Sequence, residues 1–142
     1  MLKISTRGQY ALLLMTDLAE QESEKYTALK VLAHRHNIST KYAEQILIQL
    51  SKQNLVSALR GNNGGYRLAK PATDYSAGEI LRAMEGDLDP KASSENIHPV
   101  TNAGNMDFWD GFNKAINAYA DSVSLEQIAQ KNKAAVDYGY VI

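Results

Sequence analysis

No cysteine occurs anywhere in the 142 residues. That absence excludes a disulfide scaffold, a thiolate metal site and a thiolate-ligated iron–sulfur cluster, so no cofactor is expected. No apolar run reaches the ~18 residues of a membrane span. The opening Met1-Leu2-Lys3-Ile4-Ser5 lacks a signal-type apolar core and cleavage site, and a cytoplasmic protein is expected. A catalytic constellation is missing too. His34 and His36 stand two apart on a helical pattern, nearly opposite one another, and cannot chelate one metal, while His98 is isolated. Gly61–Gly65 lacks the lysine and spacing of a phosphate loop. An enzyme is therefore not expected.

Acid is scarce in the front half. Residues 1–70 hold ten Lys/Arg against five Asp/Glu, and residues 71–142 hold five against eleven. The formal net charge of −1 thus conceals +5 in front and −6 behind. Either only the front faces a polyanion, or the imbalance is ordinary surface charge.

What is present centres on residues 38–69. Ser39 stands where an N-cap belongs, and Ile46, Leu47 and Leu50 recur at helical spacing. The opposite face is read as Thr40, Lys41, Gln45, Gln49 and Lys52, groups that can donate to phosphates and base edges. After Asn54 the pattern alternates, and Gly61-Asn62-Asn63-Gly64-Gly65 supplies a hairpin tip before Tyr66-Arg67-Leu68 returns. A recognition-type helix followed by a basic hairpin predicts a winged helix. Upstream, Tyr10, Ala11, Leu14, Met15 and Leu18 mark a helix over 6–22, and Thr27 is expected to cap a short helix reaching about His36. The polar start, Lys3 to Gly8, lies on phosphates or is a plain solvated terminus.

Pro71–Tyr75 reads as a loop, and Ser76-Ala77-Gly78-Glu79 as a capping box whose helix ends near Glu85. Glu79 and Glu85 read as a cap and a surface charge. Residues 87–105 form the long loop candidate. Beyond it, Trp109, Phe112, Ile116, Tyr119 and Val123 are spaced as a heptad seam. The seam either meets a second molecule, the favoured reading, or folds back on its own domain. Ser124–Gln127 is a second capping box, opening a short terminal helix. The expected organisation is a DNA-binding domain over 1–86, a loop over 87–105, and a dimerisation helix with a C-terminal tail over 106–142. The fold class is mainly α with one small β-hairpin.

Four stretches together form a specific set: Lys3-Ile-Ser-Thr-Arg-Gly-Gln-Tyr-Ala11, Ile38-Ser-Thr-Lys-Tyr-Ala-Glu-Gln-Ile-Leu47, the wing from Leu55 to Leu68, and Ala77-Gly-Glu-Ile-Leu-Arg-Ala-Met-Glu-Gly86. Over nearly the whole chain they resemble the Rrf-two family of bacterial winged-helix transcription regulators. The resemblance implies a homodimer joined through its long helices, with a recognition helix in the major groove and a wing in the minor groove. Cluster-binding members use three cysteines in the loop before the long helix, and residues 87–105 hold none. The chain looks most like the cysteine-free branch that represses cysteine metabolism.

By position, the resemblance puts Ser39, Lys41, Tyr42 and Glu44 at or beside the DNA and makes Arg60 the wing arginine. Thr40, Gln45, Asn62 and Asn63 complete the expected DNA contacts, with Lys3, Arg7, Lys41, Lys52 and Arg67 as phosphate partners. Glu44 either accepts from a cytosine amine or pairs with Lys41 or Lys52. In the branch concerned the signal comes through cysteine synthase. Tyr140, Val141 and Ile142 are the expected contacts, unless the tail packs on its own dimer. The rival reading is a winged helix used only for protein–protein contact, which predicts a shallow salt dependence on DNA.

Overall fold

The computed structural model describes residues 3–90, 98 and 100–137. Helices α1 (Thr6–Glu20), α2 (Leu29–Arg35) and α3 (Thr40–Lys52) lead into an antiparallel hairpin, β1 (Val56–Leu59) and β2 (Gly65–Leu68). A 3-10 turn at Ala72–Asp74 precedes α4 (Ala77–Glu85), α5 (Ala103–Ser122) and α6 (Leu125–Asp137). The core joins Ala11, Leu14, Met15 and Leu18 of α1 to Leu32, Ile46, Leu47, Leu50 and Ile80. These recur at three- and four-residue spacing, so each helix turns one apolar stripe inward. The winged-helix expectation holds, and the order of elements follows the sequence reading.

The connections depart from it in four places. Thr27 caps nothing. Ala28 occupies the N-cap position of α2 without a side-chain bond, and the Thr27 backbone pairs instead with Tyr66, N–H to carbonyl in both directions (2.8 and 2.9 Å). The segment before α2 thus bridges to β2 as a third, one-residue strand of the wing. Gly65 permits it: its φ is +147°, and a Cβ there would collide with the Thr27 carbonyl. Second, the loop over Pro71–Tyr75 contains the 3-10 turn and ends on a buried residue, Tyr75. Tyr75 is 1 % exposed, donates to Leu55 O (2.6 Å) and accepts from the N–H groups of Ala69 and Lys70. Burial raises its phenol pKa.

Third, the box at α4 is half made. Ser76 Oγ accepts from Glu79 N, but the Glu79 carboxylate turns to Lys70 Nζ (3.2 Å). The box at Ser124 is complete, with Gln127 returning to Ser124 N (2.8 Å). Fourth, Leu88 and Pro90 of the expected loop are buried, α5 begins at Ala103, and the expected short terminal helix, α6, runs for 13 residues and packs on α1. Ala77 N donates to Val123 O (2.8 Å) and Leu125 N to Tyr75 O (3.0 Å), returning the chain to the core after α5.

Asp17 is a further core element, 5 % exposed. Its carboxylate accepts from Arg35 Nη1 (2.7 Å) and Gln21 Nε2 (3.0 Å), and its other oxygen lies 2.8 Å from His36 Nε2. Together these bonds fasten the end of α2 to α1. The turn that follows has Asn37 in the left-handed region (φ +53°), which asparagine tolerates.

Candidate nucleic-acid interface

Helix α3 is two-faced. Ala43, Ile46, Leu47 and Leu50 are buried, while Thr40, Lys41, Glu44, Gln45, Ile48 and Lys52 are exposed. Ser39 caps it, its hydroxyl accepting from Tyr42 N (3.1 Å). Tyr42 is half-buried, its ring edge-on to Tyr10 with centroids 5.9 Å apart. Gln49 leaves the expected polar face: it is half-buried and donates to Ala83 O of α4 (3.2 Å).

The start of α1 lies beside this face. Arg7 Nη2 donates to Gln45 Oε1 (3.1 Å), and Lys3 is exposed just before it. The helix terminus itself is not an open anion site. Glu85, expected as a surface charge, sits on it: its carboxylate accepts from Ser5 N (2.9 Å) and from the Ser5 hydroxyl. A Cβ on Gly8 would strike the same carboxylate. The carboxylate takes the place that a phosphate would need.

The wing closes the other side. Its tip is a turn from Gly61 O to Gly64 N (3.0 Å), and Arg60, Asn62 and Asn63 are exposed. A groove runs between α3 and the wing, lined by Thr40, Glu44, Lys52, Arg60 and Asn62. Lys30 of α2 and Ile48 of α3 also line it; neither is among the expected contacts, and the signal that points to Lys30 is that it is the one charged residue in the first turn of α2. Burial first, and the Glu44 charge second, raise the pKa of Tyr66 at the groove wall. Glu44 forms no ion pair with Lys41 or Lys52 among the described residues. Arg67 stands apart. Strand alternation turns it to the other face of the hairpin, where it donates to Glu24 O (2.9 Å) and lies 4.4 Å from the Tyr26 ring centroid. The structure therefore groups Lys3, Arg7, Lys41, Gln45, Lys52 and Arg60 on one side and separates Arg67 from them.

Helix α5 leaves the domain at its other end. Arg82 of α4 donates twice to Asp121 (2.7 and 3.0 Å) and once to Asn117 (2.7 Å). The hydrogen bond from Arg82 holds the Asp121 carboxyl below its ordinary pKa. A group so depressed contributes stability above its unfolded pKa and loses it as pH falls through the folded one, so this tie is intact at neutral pH. The front of α5 stands clear. Phe108, Trp109, Phe112 and Tyr119 are 57, 36, 43 and 73 % exposed, and the first three cluster with centroids 5.0–5.9 Å apart. Ile116 and Val123 are half-buried. The front of the stripe, Phe108 to Phe112, is thus exposed, while its rear, Ile116 and Val123, is partly covered by its own domain. Tyr140, Val141 and Ile142 lie outside the described residues.

Comparison with known proteins gives a consistent answer. A family model described as "Rrf2: Iron-dependent Transcriptional regulator" matches residues 4–131. The HTH-type transcriptional regulator CymR of Bacillus subtilis is 35 % identical over 128 residues, covering 90 % of each chain. The solved structure of CymR, "the Global Cysteine Regulator of B. subtilis", superposes with a TM-score of 0.80 at 36 % identity, covering 92 % of this chain and 98 % of that one. The structure of T. potens IscR superposes with a TM-score of 0.74 at 35 % identity, covering 94 % of this chain and 90 % of that one. The iron in the family description finds no thiolate here, because the chain has no cysteine. Among the described residues no group of three His, Cys, Asp or Glu could hold a metal either. No helix among them is long and apolar enough to cross a membrane.

Proposed function

Because the chain belongs to the Rrf2 family of transcriptional regulators, we propose that it acts as a repressor, gripping an inverted repeat as a homodimer in the cytoplasm. It is a DNA-binding transcription regulator by family and by fold. The observation that carries the proposal is one side of the molecule on which the exposed α3 face lies between Arg7, bonded to Gln45, and the exposed Arg60 wing. An α-helix fits the major groove of B-DNA, and an arginine at the root of a hairpin tip fits a narrow minor groove, where negative potential is concentrated. Two-fold symmetry then sets the half-sites about 34–36 Å apart, or a multiple of that.

The test is selection from a random duplex pool. An enriched palindrome with a steep salt dependence supports the proposal. No enrichment at low salt, or a shallow slope, favours a protein-contact role instead. In the same assay Arg60→Ala is expected to weaken specific binding by about 1–3 kcal/mol, roughly five- to 150-fold. Unchanged affinity removes the minor-groove assignment.

Control of cysteine and sulfur metabolism is the regulatory role we propose, supported by the likeness to a cysteine regulator. Cysteine synthase is the protein partner that goes with it, contacting Tyr140, Val141 and Ile142. Replacing all three by alanine should abolish retention of the regulator on immobilised cysteine synthase; equal retention ends that assignment.

A further inference from the structure

We infer that Arg7 is a positioning residue for sequence readout: it fixes which end of the Gln45 amide enters the major groove. The inference rests on the DNA-reading function proposed above and adds a base preference to it. Gln45 lies on the exposed face of α3, and its Oε1 accepts from Arg7 Nη2 at 3.1 Å. Arginine carries five donors and no acceptor. Only the amide oxygen can therefore face it, whichever way the terminal atoms of the glutamine are labelled. The oxygen is turned toward α1, and the Nε2 amino group is the end left for the groove.

A free glutamine reads adenine by using both ends, accepting from N6 and donating to N7. With its oxygen held by α1, Gln45 presents donors. Its partners are then base edges rich in acceptors, N7 and O6 of guanine or O4 of thymine, rather than adenine, whose N7 stands beside the N6 amino donor that the turned-away oxygen would be needed to accept from. Its neighbour Glu44, also exposed, can as a carboxylate only accept. Adjacent positions on α3 thus offer opposite hydrogen-bonding character, a pattern that distinguishes a base pair from its reverse. Arg7 loses little by this role, because one bond to Gln45 leaves its other donors for a phosphate.

The experiment is duplex selection with the full chain in parallel as wild type, Arg7→Met, Arg7→Lys and Gln45→Ala, each first checked for an unchanged thermal melt. Gln45→Ala identifies the half-site position that Gln45 reads, as the one where preference collapses. At that position wild type should prefer guanine or thymine over adenine by roughly five- to 150-fold. Arg7→Met, which matches the arginine stem but cannot donate, should admit adenine there and leave other positions unchanged. Arg7→Lys, which can still donate, should retain the wild-type preference. An Arg7→Met profile identical to wild type, with only a uniform loss of affinity and a smaller salt slope, makes Arg7 a plain phosphate contact and overturns the inference. A wild-type preference for adenine at that position overturns it too. If wild type enriches no repeat at all, the DNA-reading function falls first, and this inference falls with it.

Discussion

Phe112→Asp should convert the protein from dimer to monomer and lower its affinity for a two-half-site operator by at least about a hundredfold, the scale on which linked binding exceeds single binding. Phe112 is 43 % exposed and touches Phe108 and Trp109 of its own helix. Its removal therefore leaves the fold of the single chain intact. In a dimer joined along α5 the new carboxylate would have to leave water for an apolar seam, a transfer that costs several kcal/mol without a partner. Sedimentation equilibrium reads the mass, and titration of a half-site beside the full operator reads the affinity. A monomer that keeps its half-site affinity is the expected result. If Phe112→Asp still sediments as a dimer, α5 is not the seam.

The second large effect belongs to Asp17. Asp17→Ala should destabilise the protein by about 3 kcal/mol, the lower end for breaking a buried pair, because Arg35 is partly open to water and can be resolvated. His36, 19 % exposed at its side chain, cannot recover so easily. For a chain of this size the loss should lower Tm by about 10 °C. Asp17→Asn keeps one acceptor oxygen and should lie between the two. Calorimetry decides the matter: a shift under about 2 °C for Asp17→Ala means the network contributes little, and that apolar packing alone holds α2 to α1.

Such long-range ties were the part the sequence could not disclose. The two faces of α3, the Ser39 cap and the glycine-rich wing are local features, written in side-chain periodicity and backbone permissiveness within a dozen residues. The aromatic stripe on α5 was legible for the same reason. Glu85, by contrast, meets Ser5 across 80 positions, and Asp17 meets Arg35 and His36 across 18 and 19. Nothing in the periodicity of either partner names the other. Thr27 looked like a cap because threonine caps helices; the nearby Tyr66 backbone, reached only through the fold, claimed it instead. Helical spacing alone puts Gln49 on the polar face, and only the position of α4 shows that it faces a neighbour. Charge alone makes Arg67 resemble a phosphate contact, whereas strand alternation turns it to the face opposite Tyr66.

The division of α3 has an evolutionary consequence. Ala43, Ile46, Leu47 and Leu50 carry the packing, whereas Thr40, Lys41, Glu44, Gln45 and Ile48 stand outside the core. Exposed substitutions away from such packing usually change stability by no more than about 0.5 kcal/mol. A lineage can therefore rewrite the address this regulator recognises, one letter at a time, without passing through intermediates that fail to fold.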